Sequence, residues 1–243
     1  MSLIGKIISR ARPGSRPQVS AVIPAAGSSN RMGGENKLLF ELLGTPVLIH
    51  TLLAFEACPL ICEIIIVARE EDIVEYSHLC AEFEITKVTK VVKGGKSRSE
   101  SVLSGLMEVR PGTRLAAIHD GARPLVTPEL IERTILCASE FSAAAPAVML
   151  KDTIKEVSSD VVLRTVARDS LRAVQTPQVF DLELIKPALT NAIRENRPVT
   201  DDCEVVELIG MPVHLVEGSY ENIKITTPED LSVAEAFLLA REE

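Results

Sequence analysis

Residues 19–37 read VSAVIPAAGSSNRMGGENK, a short apolar run from Val19 to Pro24 that passes straight into a loop of small residues carrying Arg31 and Lys37. The run reads as a strand. Ala25, Ala26, Gly27, Ser28 and Ser29 let the backbone approach a ligand and aim its N–H groups at phosphate oxygens, and the two cations supply charge that neutral amides lack. A backbone cradle with fixed cations suits a nucleoside triphosphate. The plainer reading of the same residues is a strand, a turn and a helix start with solvated charges.

The loop carries neither GxxxxGK[ST] nor GxGxxG, so it is neither of the common nucleotide fingerprints. Outward from it, strand-like and amphipathic runs alternate through the first 150 residues, which predicts right-handed βαβ units in a doubly wound, mostly parallel α/β sheet with helices on both faces. Strands are expected at 19–24, 63–68 (EIIIVA), 88–92, 115–119 and 145–150, and helices at 46–57, 70–82, 98–109 and 128–141. Further on, Asp181 is expected to cap a helix running to Arg194, and a second helix starts near residues 200–202. Short strands follow at 213–217 and 223–226, and Thr227-Pro228-Glu229 opens the last helix. Ligands of such sheets gather beyond the carboxyl ends of the strands.

At 243 residues the chain fits one α/β domain. Its 46% hydrophobic content comes mainly from Ala, Val, Ile and Leu, with 3% aromatics and no Trp, so base-stacking platforms for single-stranded nucleic acid are not expected. A net charge of −8 argues against non-specific binding to nucleic acid or to anionic membranes. An anionic substrate would need a local basic cluster. The five cysteines form no CxxC pair and read as reduced thiols of a cytoplasmic protein rather than as a zinc site. Residues 1–18, with Lys6, Arg10, Arg12 and Arg16 and no acid, read as a flexible basic extension that lacks the apolar core of a targeting signal.

Residues 151–171, KDTIKEVSSDVVLRTVARDSL, break the alternation with two β-rich runs around a polar turn at 158–160. The pattern predicts a protruding β-hairpin arm. An isolated hairpin is marginal in water, so the arm is expected to pack on a second copy of the chain and make a homodimer.

Taken in order, PAAGSSNRM, GGKSRSESV, HDGARP, KDTIK, TPQVF, VTDDCE and NIKIT span nearly the whole chain beyond residue 18. The set resembles the 2-C-methyl-D-erythritol 4-phosphate cytidylyltransferase family of CTP-dependent nucleotidyltransferases. The resemblance implies a nucleotidyltransferase domain over 19–243 that moves CMP from CTP to the phosphate of methylerythritol phosphate, with Mg2+, in a homodimer joined through the arm. It implies that Arg31, Lys37 and Lys224 are catalytic cations around the α-phosphate, and that Ala25, Ala26, Gly27, Ser28, Gly94, Gly95, Arg98 and Ser101 bind CTP. It places Asp120 by the metal and the substrate hydroxyls, with Arg123, Thr153, Arg168 and Thr200 holding the acceptor. Thr153 and Arg168 fall on the arm and so belong, by the same resemblance, to the neighbouring subunit's site. His119 reads as a packing residue. Lys37 is followed by Leu38 where many members carry Gln, and residues 1–18 match nothing in the family pattern. Ribitol-5-phosphate cytidylyltransferase shares the superfamily motifs, but Arg168 and HDGARP favour the methylerythritol acceptor. A regulatory nucleotide-binding protein would not need Arg31, Lys37, Asp120 and Lys224 together.

Overall fold

The computed structural model describes residues 17–27 and 36–242. Strand β1 (Val19–Pro24) leads to a two-stranded ribbon, β2 (Glu41–Leu42) with β3 (Thr45–Pro46), and to helix α1 (Val47–Ala57). Next come β4 (Ile61–Ala68), a 3₁₀ turn at Glu70–Asp72, α2 (Ile73–Glu82), β5 (Val88–Lys93), α3 (Arg98–Met107), β6 (Leu115–Ile118), α4 (Pro128–Phe141) and β7 (Ala143–Met149). The arm is β8 (Ile154–Ser158) with β9 (Val161–Val166). The chain returns through β10 (Arg172–Val174) and β11 (Gln178–Asp181), then α5 (Leu182–Arg194), α6 (Asp202–Glu207), β12 (His214–Glu217) and α7 (Glu229–Glu242).

β5, β4, β1 and β6 run parallel side by side. β11 lies antiparallel between β6 and β7, β10 is antiparallel to the far part of β7, and β12 is parallel to β7. The sheet is therefore mixed but mostly parallel. Its strands are apolar on both faces, and alternate residues feed two separate cores. Val19, Ala21, Ile23, Ile64, Ile66, Leu115 and Ala117 pack with α1 and α4 on one face. Val22, Ile65, Val67, Ala116 and Ile118 pack with α3, α5 and α6 on the other. Gly105 lets α3 approach closely, since a Cβ there would lie 2.5 Å from Val22 Cγ1 and 2.7 Å from Val67 Cγ2.

Helix starts follow local chemistry. Thr127 accepts a hydrogen bond from Leu130 N with Pro128 in the first turn, and Asp181 accepts from Glu183 N. Two expectations need correction. Residues 223–226 form no strand, because both edges of β6 are occupied by β1 and β11; the segment instead meets the loop after β6, with Ile225 N donating to Ala122 O at 2.8 Å. The helix expected from Asp181 to Arg194 is present with Asp181 as its cap, and strand β11 precedes it after the cis Thr176-Pro177 bond. The strand expected at 145–150 begins at Ala143 and ends at Met149, directly after the left-handed Ser142 that closes α4.

The arm forms its own two-stranded sheet, from Ile154 opposite Val166 to Ser158 opposite Val161, with a one-residue register shift between Glu156 and Val157. Val157, Val161, Val162 and Leu163 are all more than half exposed on it.

Candidate active site

Two strands deliver a turn of small residues to the carboxyl end of the sheet. The opening loop leaves β1 with Ala25 N donating to Val67 O at 2.7 Å, and the glycine turn leaves β5 with Gly94 N donating to Ala68 O at 2.8 Å. Both turns thus sit side by side on the carboxyl end of β4. Gly94 has no room for a side chain, because a Cβ would come within 2.8 Å of Ser101 Oγ and 2.9 Å of Ala26 Cβ. Ser101 Oγ accepts from Gly95 N and donates to Ser97 O, and Ser97 caps α3 by accepting from Glu100 N. The first turn of α3 is therefore fastened to the glycine turn.

Between these loops lies a cleft of about 370 Å³. Its wall includes Ala25, Ala26 and Gly27 of the opening loop, Gly95, Arg98 and Ser101 of the glycine turn and α3, and Lys37, Asp120 and Lys224. Lys37 Nζ donates to Ile225 O at 2.7 Å, and Lys224 Nζ lies 2.7 Å from Asp120 Oδ2. Two cations almost two hundred residues apart in sequence are thereby brought to one cleft.

Asp120 is the electrostatic centre. Besides Lys224 it has Arg98 at 3.6 Å and Arg123 at 3.8 Å. Burial works against its charge, but Lys224, Arg98 and Arg123 outweigh it and hold the carboxyl well below the usual carboxylate range. Burial also opposes the charge of Arg98, which Asp202, at 2.7 Å, and Asp120 together more than restore. His119 beside them has no solvent exposure; burial pushes its pKa down to about 3, so the ring is neutral. It packs against Phe55, and Thr176 Oγ1 bridges His119 Nδ1 and the backbone N–H of Asp120. His119 is a packing residue, as its sequence context suggests.

A sequence model for 2-C-methyl-D-erythritol 4-phosphate cytidylyltransferase (IspD) matches residues 19–240. The chain belongs to this cytidylyltransferase family. It is 47% identical over 226 residues to the 2-C-methyl-D-erythritol 4-phosphate cytidylyltransferase of Halalkalibacterium halodurans, covering 93% of this chain and 99% of that one. Among solved structures, it matches the 4-diphosphocytidyl-2C-methyl-D-erythritol synthase of Anaerococcus prevotii with a TM-score of 0.83 at 33% identity, over 96% of this chain and 99% of that one. The 2-C-methyl-D-erythritol 4-phosphate cytidylyltransferase of Thermus thermophilus matches with a TM-score of 0.76 at 32% identity, over 90% and 98% of the two chains.

The residues that the cytidylyltransferase resemblance assigns divide into three groups. Ala25, Ala26, Gly27, Lys37, Gly95, Arg98, Ser101, Asp120 and Lys224 line the cleft, with Gly94 directly behind Ala26 and Ser101. Arg31 and Ser28 lie outside the described residues. Arg123, Thr153, Arg168 and Thr200 are not on the cleft wall among the described residues. Arg123 turns its guanidinium to Asn222 O, at 2.6 Å, and to Asp120. Thr153 stands exposed at the foot of β8, Arg168 is exposed and donates to Lys151 O, and Thr200 donates to Glu204 Oε2 at the start of α6.

Three features escape the motif reading. Asp202 is buried with Arg98 as its partner, and the paired acids in VTDDCE were its available signal. Leu38, which stands where many members of the family carry Gln, is buried, and its carbonyl accepts from Leu48 N to seat the end of the opening loop on α1. Asn222 is fully buried and donates to Thr176 O, tying the Lys224 segment to the turn before β11.

Proposed function

We infer that the cleft transfers CMP from CTP to 2-C-methyl-D-erythritol 4-phosphate, the cytidylyl-transfer step of non-mevalonate isoprenoid precursor synthesis. The observation that carries this reading is the meeting of Lys37 and Lys224 in one cleft with ionised Asp120 between strand ends. A phosphate monoester is mostly dianionic at neutral pH, with a second pKa of about 6, so the reaction needs no general base. One oxygen of the acceptor phosphate forms a bond to the α-phosphorus of CTP as the bond to the bridging oxygen breaks, and pyrophosphate leaves with that electron pair. The obstacle is bringing one anion onto another, and fixed cations at the point of charge build-up lower it.

In this mechanism Lys37 and Lys224 hold the triphosphate and the charge that gathers on the α-phosphate, joined by Arg31 of the opening loop. Backbone groups of Gly94 and Gly95 read the cytosine edge from a turn packed so closely that a Cβ would collide with Ser101, Ala26 or Glu100, with Ser101 fixing the turn. Asp120 is the only carboxylate among the described residues of the cleft wall, and its ionised state fits a hard cation. Mg2+ would be held by Asp120 with phosphate oxygens and water, supplying further neutralisation of phosphate charge.

The same reading makes the protein a homodimer through its arm, which brings Thr153 and Arg168 of one subunit to the acceptor held by Arg123 and Thr200 of the other. Its support is the exposure of the apolar residues Val157, Val161, Val162 and Leu163 on a sheet of only two strands. The free state of all five cysteines supports a cytoplasmic setting, and among the described residues no helix is long and apolar enough to cross a membrane.

The test is pyrophosphate release from CTP and Mg2+ with methylerythritol phosphate, with ribitol phosphate, and with no acceptor. Release that depends on methylerythritol phosphate supports the reading. Preference for ribitol phosphate, or CTP binding without turnover on either polyol, overturns it.

A further inference from the structure

Arg98 enters the cleft from the first turn of α3, yet its tightest partner is not in the cleft. Its guanidinium lies 2.7 Å from Asp202 and 3.6 Å from Asp120. On the reading of this cleft as the CTP site, we propose that Asp202 is a positioning residue, anchoring Arg98 from behind so that it faces the nucleotide instead of collapsing onto Asp120.

Asp202 is itself held in place. Its side chain is 1% exposed, and its backbone N–H donates to Gln178 Oε1 at 3.0 Å, as does that of Cys203 at 3.1 Å. Gln178, from β11, uses its Nε2 to grip Asp201 Oδ2 at 2.8 Å. The first turn of α6 is thus pinned to the sheet. Capping does not account for Asp202, because Asp201 already caps α6 by accepting from Glu204 N. Nor does packing, since a buried carboxylate is costly unless paired.

The pairing instead decides where Arg98 points. Arginine has a long, many-rotamer side chain, and Asp202 fixes it through Nη2, the same nitrogen that lies 3.6 Å from Asp120, so the closer, buried carboxylate sets how near the guanidinium comes to the acid in the cleft. Without Asp202, the nearest acid to Arg98 would be Asp120, which already meets Lys224 and Arg123. Arg98 would then compete with Lys224 for one carboxylate and withdraw from the nucleotide.

The experiment is steady-state kinetics of the full-length protein carrying Asp202→Asn. KM for CTP should rise about tenfold, the loss of one charge-assisted hydrogen bond, with KM for methylerythritol phosphate unchanged. In an Arg98→Ala background, adding Asp202→Asn should change kcat/KM for CTP by less than about twofold, because residues acting through one another are not additive. Equal losses in both backgrounds, or a parallel rise in both KM values, would overturn the proposal. Should Asp202→Asn yield no folded protein, melting temperatures decide. Arg98→Ala leaves a buried carboxylate uncompensated, so the double variant should melt above Arg98→Ala alone, and a double variant that melts no higher overturns the pairing. A wild-type control that releases no pyrophosphate counts against the functional reading itself, and the melting comparison still tests the Arg98–Asp202 pairing on which the proposal stands.

Discussion

Gly105→Ala tests how closely the nucleotide side of the cleft depends on packing beneath it. The added methyl would sit 2.5 Å from Val22 Cγ1 and 2.7 Å from Val67 Cγ2, whereas carbon atoms rest about 3.5–4.0 Å apart, so roughly 1 Å must open between α3 and the sheet. Neither valine can turn aside easily, because both are fully buried in central strands and β-branched side chains have little χ1 freedom. Overpacking of this kind costs about 1–3 kcal/mol, and the gain of alanine over glycine in a helix interior returns about 1 kcal/mol. With two clashes on rigid partners the upper end applies, leaving a net loss of about 2 kcal/mol. In a chain of this length that lowers the melting temperature by about 4–8 °C. The outward shift of α3 also carries Ser97, Arg98 and Ser101 off the glycine turn, so KM for CTP should rise together with the loss in urea or thermal stability. A Gly105→Ala protein that melts at or above wild type, with unchanged KM for CTP, would refute the reasoning.

Three other outcomes are expected. Lys224→Met should lower kcat for pyrophosphate release by about a hundredfold or more, since losing a preorganised transition-state charge costs about 3 kcal/mol; a rate within twofold of wild type would remove Lys224 from the chemistry. Mixing inactive Arg168→Ala and Lys224→Ala chains should restore part of the activity by making one intact site per heterodimer, and no recovery despite confirmed subunit exchange would contradict a site shared through the arm. His119 is held neutral by burial, with its pKa lowered to about 3 against about 6.5 unfolded. The unfolded chain therefore binds the extra proton, and the stability this neutrality supports is complete above pH 6.5 and is lost progressively as pH falls toward 3. Urea unfolding at pH 7 and pH 5 should differ by about 2 kcal/mol, and His119→Asn should flatten that slope; equal wild-type stability at the two pH values would exclude the effect.

Much of the fold is legible from local pattern. The apolar runs at 19–24 and 63–68 can be strands of this length only in a sheet covered on both faces, and Thr127-Pro128 and Asp181 announce their helices by cap chemistry. What local pattern cannot convey is which edges are free. Ile223 to Thr226 has the composition of a strand, but β1 and β11 already flank β6, so the segment pairs with a loop. β11 was hidden because four residues between a proline turn and a helix cap carry too little periodicity to count as a strand. In the site, the loops and glycines are visible because backbone approach demands small residues. Asp202 is not, because its meaning depends on an arginine 104 residues away.

The hydrogen bond from Lys37 to the carbonyl of Ile225 spans 188 residues, with every strand of the main sheet except β1 built in between. A protein emerging from the ribosome in amino-to-carboxyl order can assemble its central strands long before that contact is possible. Nascent or prematurely terminated chains ending before the 222–226 segment would carry most of the scaffold and half of the charge, and would stay chemically silent.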